Sequence, residues 1–88
     1  MRSIGLSNFN IQLIADIMTY AEIKPAVNQV QLYPECAQED LVQWLLQQGI
    51  VPVAWSPLGR MGSRTQTFQC LTHPYVLQLA EKYAKTPV

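Results

Sequence analysis

Apolar residues along the chain fall into three short runs, each followed by a polar break. Ser3-Ile4-Gly5-Leu6-Ser7 reads as a strand that ends in polar Ser7-Asn8. Asn10 is a good helix cap, and Ile11, Ile14, Ile17, Met18 and Ala21 then recur at helical spacing, predicting a helix over 11–21. Lys24-Pro25 stops it, and Ala26-Val27-Asn28-Gln29-Val30 resumes as strand up to a turn at Tyr33-Pro34. A second helix is predicted over 38–48. Glu39 and Asp40 stand in its first turn, where carboxylates suit the helix dipole, and Leu41, Val42, Trp44 and Leu45 form its apolar stripe. Gly49 stands where a left-handed cap belongs. Val51-Pro52-Val53-Ala54-Trp55 is the third strand, with Pro52 tolerated at its beginning, and it breaks abruptly at Ser56-Pro57. A polar, mobile surface loop is expected from Gly59 to Cys70, and Pro74 opens a third helix with Val76, Leu79, Ala80 and Tyr83 on one side.

Strands alternating with helices imply right-handed crossovers and a parallel sheet, so the fold class is α/β with three consecutive βα units. Ligands in such proteins bind at the carboxyl ends of the strands. Here those ends carry Ser7 and Asn8, then Gln29, then Trp55 and Ser56. Trp55 reads as a flat ring for stacking a ligand, followed by a hydroxyl and a small-residue turn, or as core; the pattern leaves both open. Asn28 and Gln29 sit inside an apolar strand, and alternation sends them to opposite faces. At least one amide therefore points into packed surroundings and needs partners. Gln29 is either satisfied by neighbouring backbone or available to a ligand amide. No strand is followed by Gly-x-Gly-x-x-Gly, and neither a P-loop nor a Gly-x-Ser-x-Gly elbow occurs.

Eighty-eight residues allow one small domain, and 49% apolar with 14% charged side chains is a globular composition. Six basic and six acidic residues cancel without any basic run, which removes the electrostatic footprint of nucleic-acid binding. No apolar stretch approaches the roughly 20 residues of a membrane helix. Cys36 and Cys70 have neither a zinc spacing nor a disulfide framework, so a reducing compartment, the cytoplasm, is expected and no metal.

Four blocks then resemble one family. Ile4-Gly5-Leu6-Ser7-Asn8-Phe9-Asn10, Lys24-Pro25-Ala26-Val27-Asn28-Gln29-Val30, Trp55-Ser56-Pro57-Leu58-Gly59 and Lys82-Tyr83-Ala84-Lys85-Thr86-Pro87 are similar to segments of the aldo-keto reductases, in the family's order and spacing. The resemblance spans essentially the whole chain, residues 1–88, and implies part of a (β/α)8 TIM barrel, about strands five to seven. The implied parent reaction is NADPH-dependent reduction of an aldehyde or ketone. Ser7 and Asn8 match the pair that hydrogen-bonds the nicotinamide carboxamide, and Gln29 matches the amide that completes the clamp. Trp55 stands where the family usually has a stacking tyrosine. Ser56, Pro57, Leu58 and Gly59 match the loop along the pyrophosphate, and Arg60 replaces a frequent serine. Gln31 and Tyr33 replace the family's frequent glutamate and histidine, and no role is attached to them.

The resemblance also implies absences. The aspartate, tyrosine, lysine and histidine of the catalytic tetrad belong to earlier strands, so no catalytic residue is expected here. Tyr20, Tyr33, Tyr75, Tyr83 and His73 fall on helices or turns. The segment that reads the cofactor's 2′-phosphate would follow Val88. The chain is thus expected to supply a platform for NADP(H) and a small carbonyl substrate in a longer parent, and to be inactive alone. A second expectation, from another class, is a non-catalytic module that docks through open sheet edges and apolar helix faces.

Overall fold

A computed structural model describes residues 1–59 and 70–88. Three parallel strands, β1 (Ile4–Ser7), β2 (Pro25–Gln31) and β3 (Val51–Trp55), form one sheet in the order β1-β2-β3. Helices α1 (Ile11–Tyr20) and α2 (Glu39–Gln47) make the two crossovers, and α3 (Pro74–Lys82) follows a short 3-10 turn at Cys70–Thr72.

The sheet register sorts the strand residues onto two faces, because paired residues in a sheet point the same way. Leu6 pairs with Asn28, which pairs with Pro52, while Ser7, Gln29 and Val53 form the adjacent row on the other side. Helices α1 and α2 cover the first face. Its core is Ile14, Leu45 and Ile50, all without exposed surface, with Leu6, Phe9, Met18, Leu41 and Trp44 packed around them. The second face, through Gly5, Ser7, Val27, Gln29, Val51, Val53 and Trp55, has no helix over it among the described residues, and Val51 keeps 55% of its surface.

Local chemistry places the helices. Asn10 is extended and its Oδ1 accepts from Leu13 N at 2.9 Å, capping α1. Gly49, at φ 68°, closes α2: its N–H donates to Leu46 O and that of Ile50 donates to Leu45 O, both at 2.9 Å. Lys24 Nζ also donates to the Gln48 carbonyl at the same helix end. The expected helix over 38–48 is shorter, because Gln38 is left-handed at φ 44°. Its side chain turns back to donate to Gln31 O at 2.6 Å instead of capping. Pro52 is the second residue of β3 rather than its first. It is accommodated because, among the described residues, β3 pairs with β2 alone, and a residue without an N–H is tolerated on an edge strand. Tyr83 lies just past α3 as its C-cap, and His73 precedes it as N-cap, with Nδ1 accepting from Tyr75 N at 3.3 Å. The loop expected from Gly59 to Cys70 is described only at its two ends.

Candidate functional site

The carboxyl ends of all three strands lie at one edge of the sheet, since the strands are parallel. Asn8 follows β1 directly in a left-handed conformation, φ 59°, which asparagine tolerates better than most residues. Two backbone-directed bonds join this turn to β2: Asn8 N–H and Ser7 Oγ–H both donate to the Gln29 carbonyl, at 2.9 and 3.0 Å. Two more come from Asn28, whose Nδ2 donates to Phe9 O at 2.8 Å while its Oδ1 accepts from Phe9 N at 3.4 Å. Asn28 has no exposed surface, so its amide is the one that points into packing, and its partners are the backbone of the β1–α1 turn. The sequence marked the Asn28-Gln29 pair as unusual without assigning Asn28 this clamp.

Trp55, the last residue of β3, reaches across the sheet. Its Nε1–H donates to Asn8 Oδ1 at 3.0 Å. Asn8 and Trp55 share the rim of a hollow of about 260 Å³, completed by Phe9, Asn10, Val30, Gln31, Gln38 and Leu41. That volume is below the roughly 300 Å³ at which drug-sized pockets begin, so it suits one ring or a short chain rather than a whole dinucleotide. Gln29 is exposed and does not line the hollow. Its side chain lies on the open face of the sheet, in the row of Ser7 and Val53. Three strand ends thus contribute unequally: Asn8 and Trp55 meet, Ser7 is tied to the Gln29 backbone, and the Gln29 amide faces the uncovered side.

Beyond Trp55 the chain turns at once. Ser56 is left-handed, φ 53°, and its carbonyl accepts from Gly59 N at 2.8 Å, making a four-residue turn with Pro57 and Leu58 in the middle. Proline has no N–H, and that of Gly59 is used inside the turn. The backbone donors that this turn can lend to an anion therefore come from Ser56 and Leu58. Arg60 and its expected phosphate contact lie outside the described residues. The tyrosines stand apart from the hollow's rim: Tyr20 ends α1 with its hydroxyl 3.5 Å from Asp16 Oδ2, and Tyr33 forms an isolated bridge with Cys36. Among the described residues no group of three or more His, Cys, Asp or Glu is placed to hold a metal ion.

The family model for the aldo/keto reductases matches residues 1–82. The chain belongs to the aldo/keto reductase family. The members of this family are oxidoreductases built on a (β/α)8 barrel, and the three βα units described here are a part of that architecture. The oxidoreductase YtbE of Bacillus subtilis is 41% identical over 86 residues, covering 98% of this chain and 28% of that protein. Aldo-keto reductase family 1 member A1 of Gallus gallus is 43% identical over 89 residues, 98% of this chain and 27% of its own length. A probable NAD(P)H-dependent D-xylose reductase, xyl1, of Arthroderma otae is 40% identical over 93 residues, 98% and 28% respectively. The aldo/keto reductase segment in hand thus spans little more than a quarter of the curated relatives it matches.

Proposed function

We propose that this chain is the part of an NADPH-dependent carbonyl reductase that receives the nicotinamide end of the cofactor. The parent reaction is reduction of an aldehyde or ketone to an alcohol. The observation that carries the reading is the meeting of the Asn8 amide and the Trp55 indole beside a ring-sized hollow at the carboxyl ends of parallel strands. When bound, the cofactor supplies the hydride. This chain's residues hold and orient it. Asn8 addresses the carboxamide, Trp55 offers a flat π-face, and Ser7 keeps the β1–α1 turn on β2. Ser56 and Leu58 lend backbone N–H groups to the pyrophosphate along the Ser56-Pro57-Leu58-Gly59 turn. Gln29 meets the carboxamide from the open face of the sheet, the side that faces the barrel interior in this reading. Among the described residues no tyrosine or histidine lines the hollow to donate the proton that a carbonyl oxygen needs, and the 88-residue chain alone is expected to turn over no substrate. Two cysteines that form no disulfide suit a reducing cytoplasmic setting.

The test is a titration of the isotope-labelled 88-residue chain with nicotinamide mononucleotide. Resonances of Asn8, Gln29, Trp55, Ser56 and Leu58 should move together, and a titration that moves none of them rejects the reading. NADPH oxidation with a simple aldehyde should stay at the blank rate. Turnover by the chain alone would place a proton donor within it.

A second reading rests on the uncovered sheet face, where Val51 is 55% exposed, and on α3, where Tyr75 and Leu77 are 62% and 45% exposed. These surfaces suit docking onto a partner chain. Concentration-dependent sedimentation to a defined oligomer would favour that reading, and a compact monomer speaks against it.

A further inference from the structure

The contact between Trp55 and Asn8 involves more than the ring. An indole N–H can only donate, so the atom of Asn8 that it meets at 3.0 Å must be the carbonyl oxygen of the amide. An asparagine side chain with one face at solvent can ordinarily turn its oxygen and nitrogen either way. Here that freedom is removed by the indole. The backbone that carries the amide is held as well, because Asn8 N–H donates to Gln29 O at 2.9 Å and the next residue, Phe9, is held by Asn28.

We propose that Trp55 is a positioning residue that acts through its indole N–H: it fixes the Asn8 amide with Oδ1 toward the indole, so that the Nδ2 hydrogens are the end presented to a ligand. The site then selects a carbonyl oxygen as the ligand atom facing Asn8, and a ligand that presents only a donor there is disfavoured. This consequence for the ligand rests on the nicotinamide reading above, whereas the hydrogen bond does not, and the two are measured separately.

The experiment follows exchange of the Trp55 indole proton with solvent by NMR in the ligand-free 88-residue chain, with Trp44→Phe used to assign it. A bond of ordinary strength slows that exchange about fivefold relative to N-acetyl-tryptophanamide. Asn8→Gly removes the side chain and keeps a residue that accepts φ 59°, so the turn survives. Exchange should return to the free rate in this variant. Asn8→Asp keeps the acceptor and the side-chain shape and should keep the slow exchange. In Trp55→Phe the two Asn8 Nδ2 proton resonances should move toward each other, while those of Asn28 stay in place. An indole proton that exchanges at the free rate, or one equally slow in Asn8→Gly, overturns the proposal. Whether or not nicotinamide mononucleotide binds, these outcomes are unaffected.

Discussion

Asn28 and Gln29 are consecutive amides that the pleat sends to opposite sides of β2. Asn28 has no exposed surface and spends its side chain on both backbone groups of Phe9. Asn28→Ala removes two hydrogen bonds and strands a part-buried N–H and C=O, which predicts a loss of about 2–4 kcal/mol of stability, measured by urea denaturation. Gln29 contributes its carbonyl to Ser7 and Asn8, and its own side chain is exposed. Gln29→Ala keeps that carbonyl, so stability should change by no more than about 0.5 kcal/mol, while nicotinamide mononucleotide binding weakens about fivefold. That one amide of the pair must be buried was legible in the sequence, from their position in an apolar run. Which one was not, because the answer depends on the cross-strand register, and that register slips between Ile4 and Gly5. The Trp55–Asn8 bond was equally hidden: it joins residues 47 positions apart, and no local pattern signals it.

Helices α2 and α3 end in the same way, with a left-handed residue whose N–H and that of its successor return to the last turn. At α2 the left-handed residue is Gly49, with Ile50 and Leu45 both fully buried beneath it. At α3 it is Ala84, φ 50°, with Ala84 N–H donating to Glu81 O and Lys85 N–H to Ala80 O at 3.1 and 2.9 Å. A Cβ at Gly49 meets nothing within 4 Å, so Gly49→Ala should cost only the backbone strain, about 1 kcal/mol. Ala84→Gly relieves the same strain and should stabilise by about 0.5–1 kcal/mol. Thermal unfolding of the two variants should shift in opposite directions, and equal shifts would refute the shared cap. Gly49 was readable as a stop because glycine advertises positive φ, and Ala84 was not because alanine does not. The left-handed Gln38 escaped for a similar reason. Its conformation follows from a tertiary bond to Gln31 O, which propensity does not register.

Parallel sheets in stable proteins are covered on both faces, and here only one face has helices over it among the described residues. The radius of gyration, 16.2 Å, exceeds the about 12 Å expected of a compact domain of this length. Helix α3 contributes no buried residue. The alternation of strands and helices was sufficient to read a parallel sheet from the sequence, whereas the order β1-β2-β3 followed only from the resemblance to consecutive barrel units. The open face was not legible: the sequence led to open sheet edges and apolar helix faces, since Val27, Val51 and Val53 look like core in any local pattern. Val51 distinguishes the isolated segment from a closed barrel. In the segment it is 55% exposed, so Val51→Lys should leave unfolding free energy within about 0.5 kcal/mol of the parent chain. The same charge breaks up an apolar patch on an exposed edge strand, where chains add to one another. Sedimentation velocity at rising concentration should therefore show less self-association for Val51→Lys than for the parent, with the monomer boundary unchanged. A large loss of stability instead would mean that this face is already covered within the monomer. The apolar row along Val27, Val51 and Val53 would then be core, and the Gln29 amide beside it would be withdrawn from any ligand.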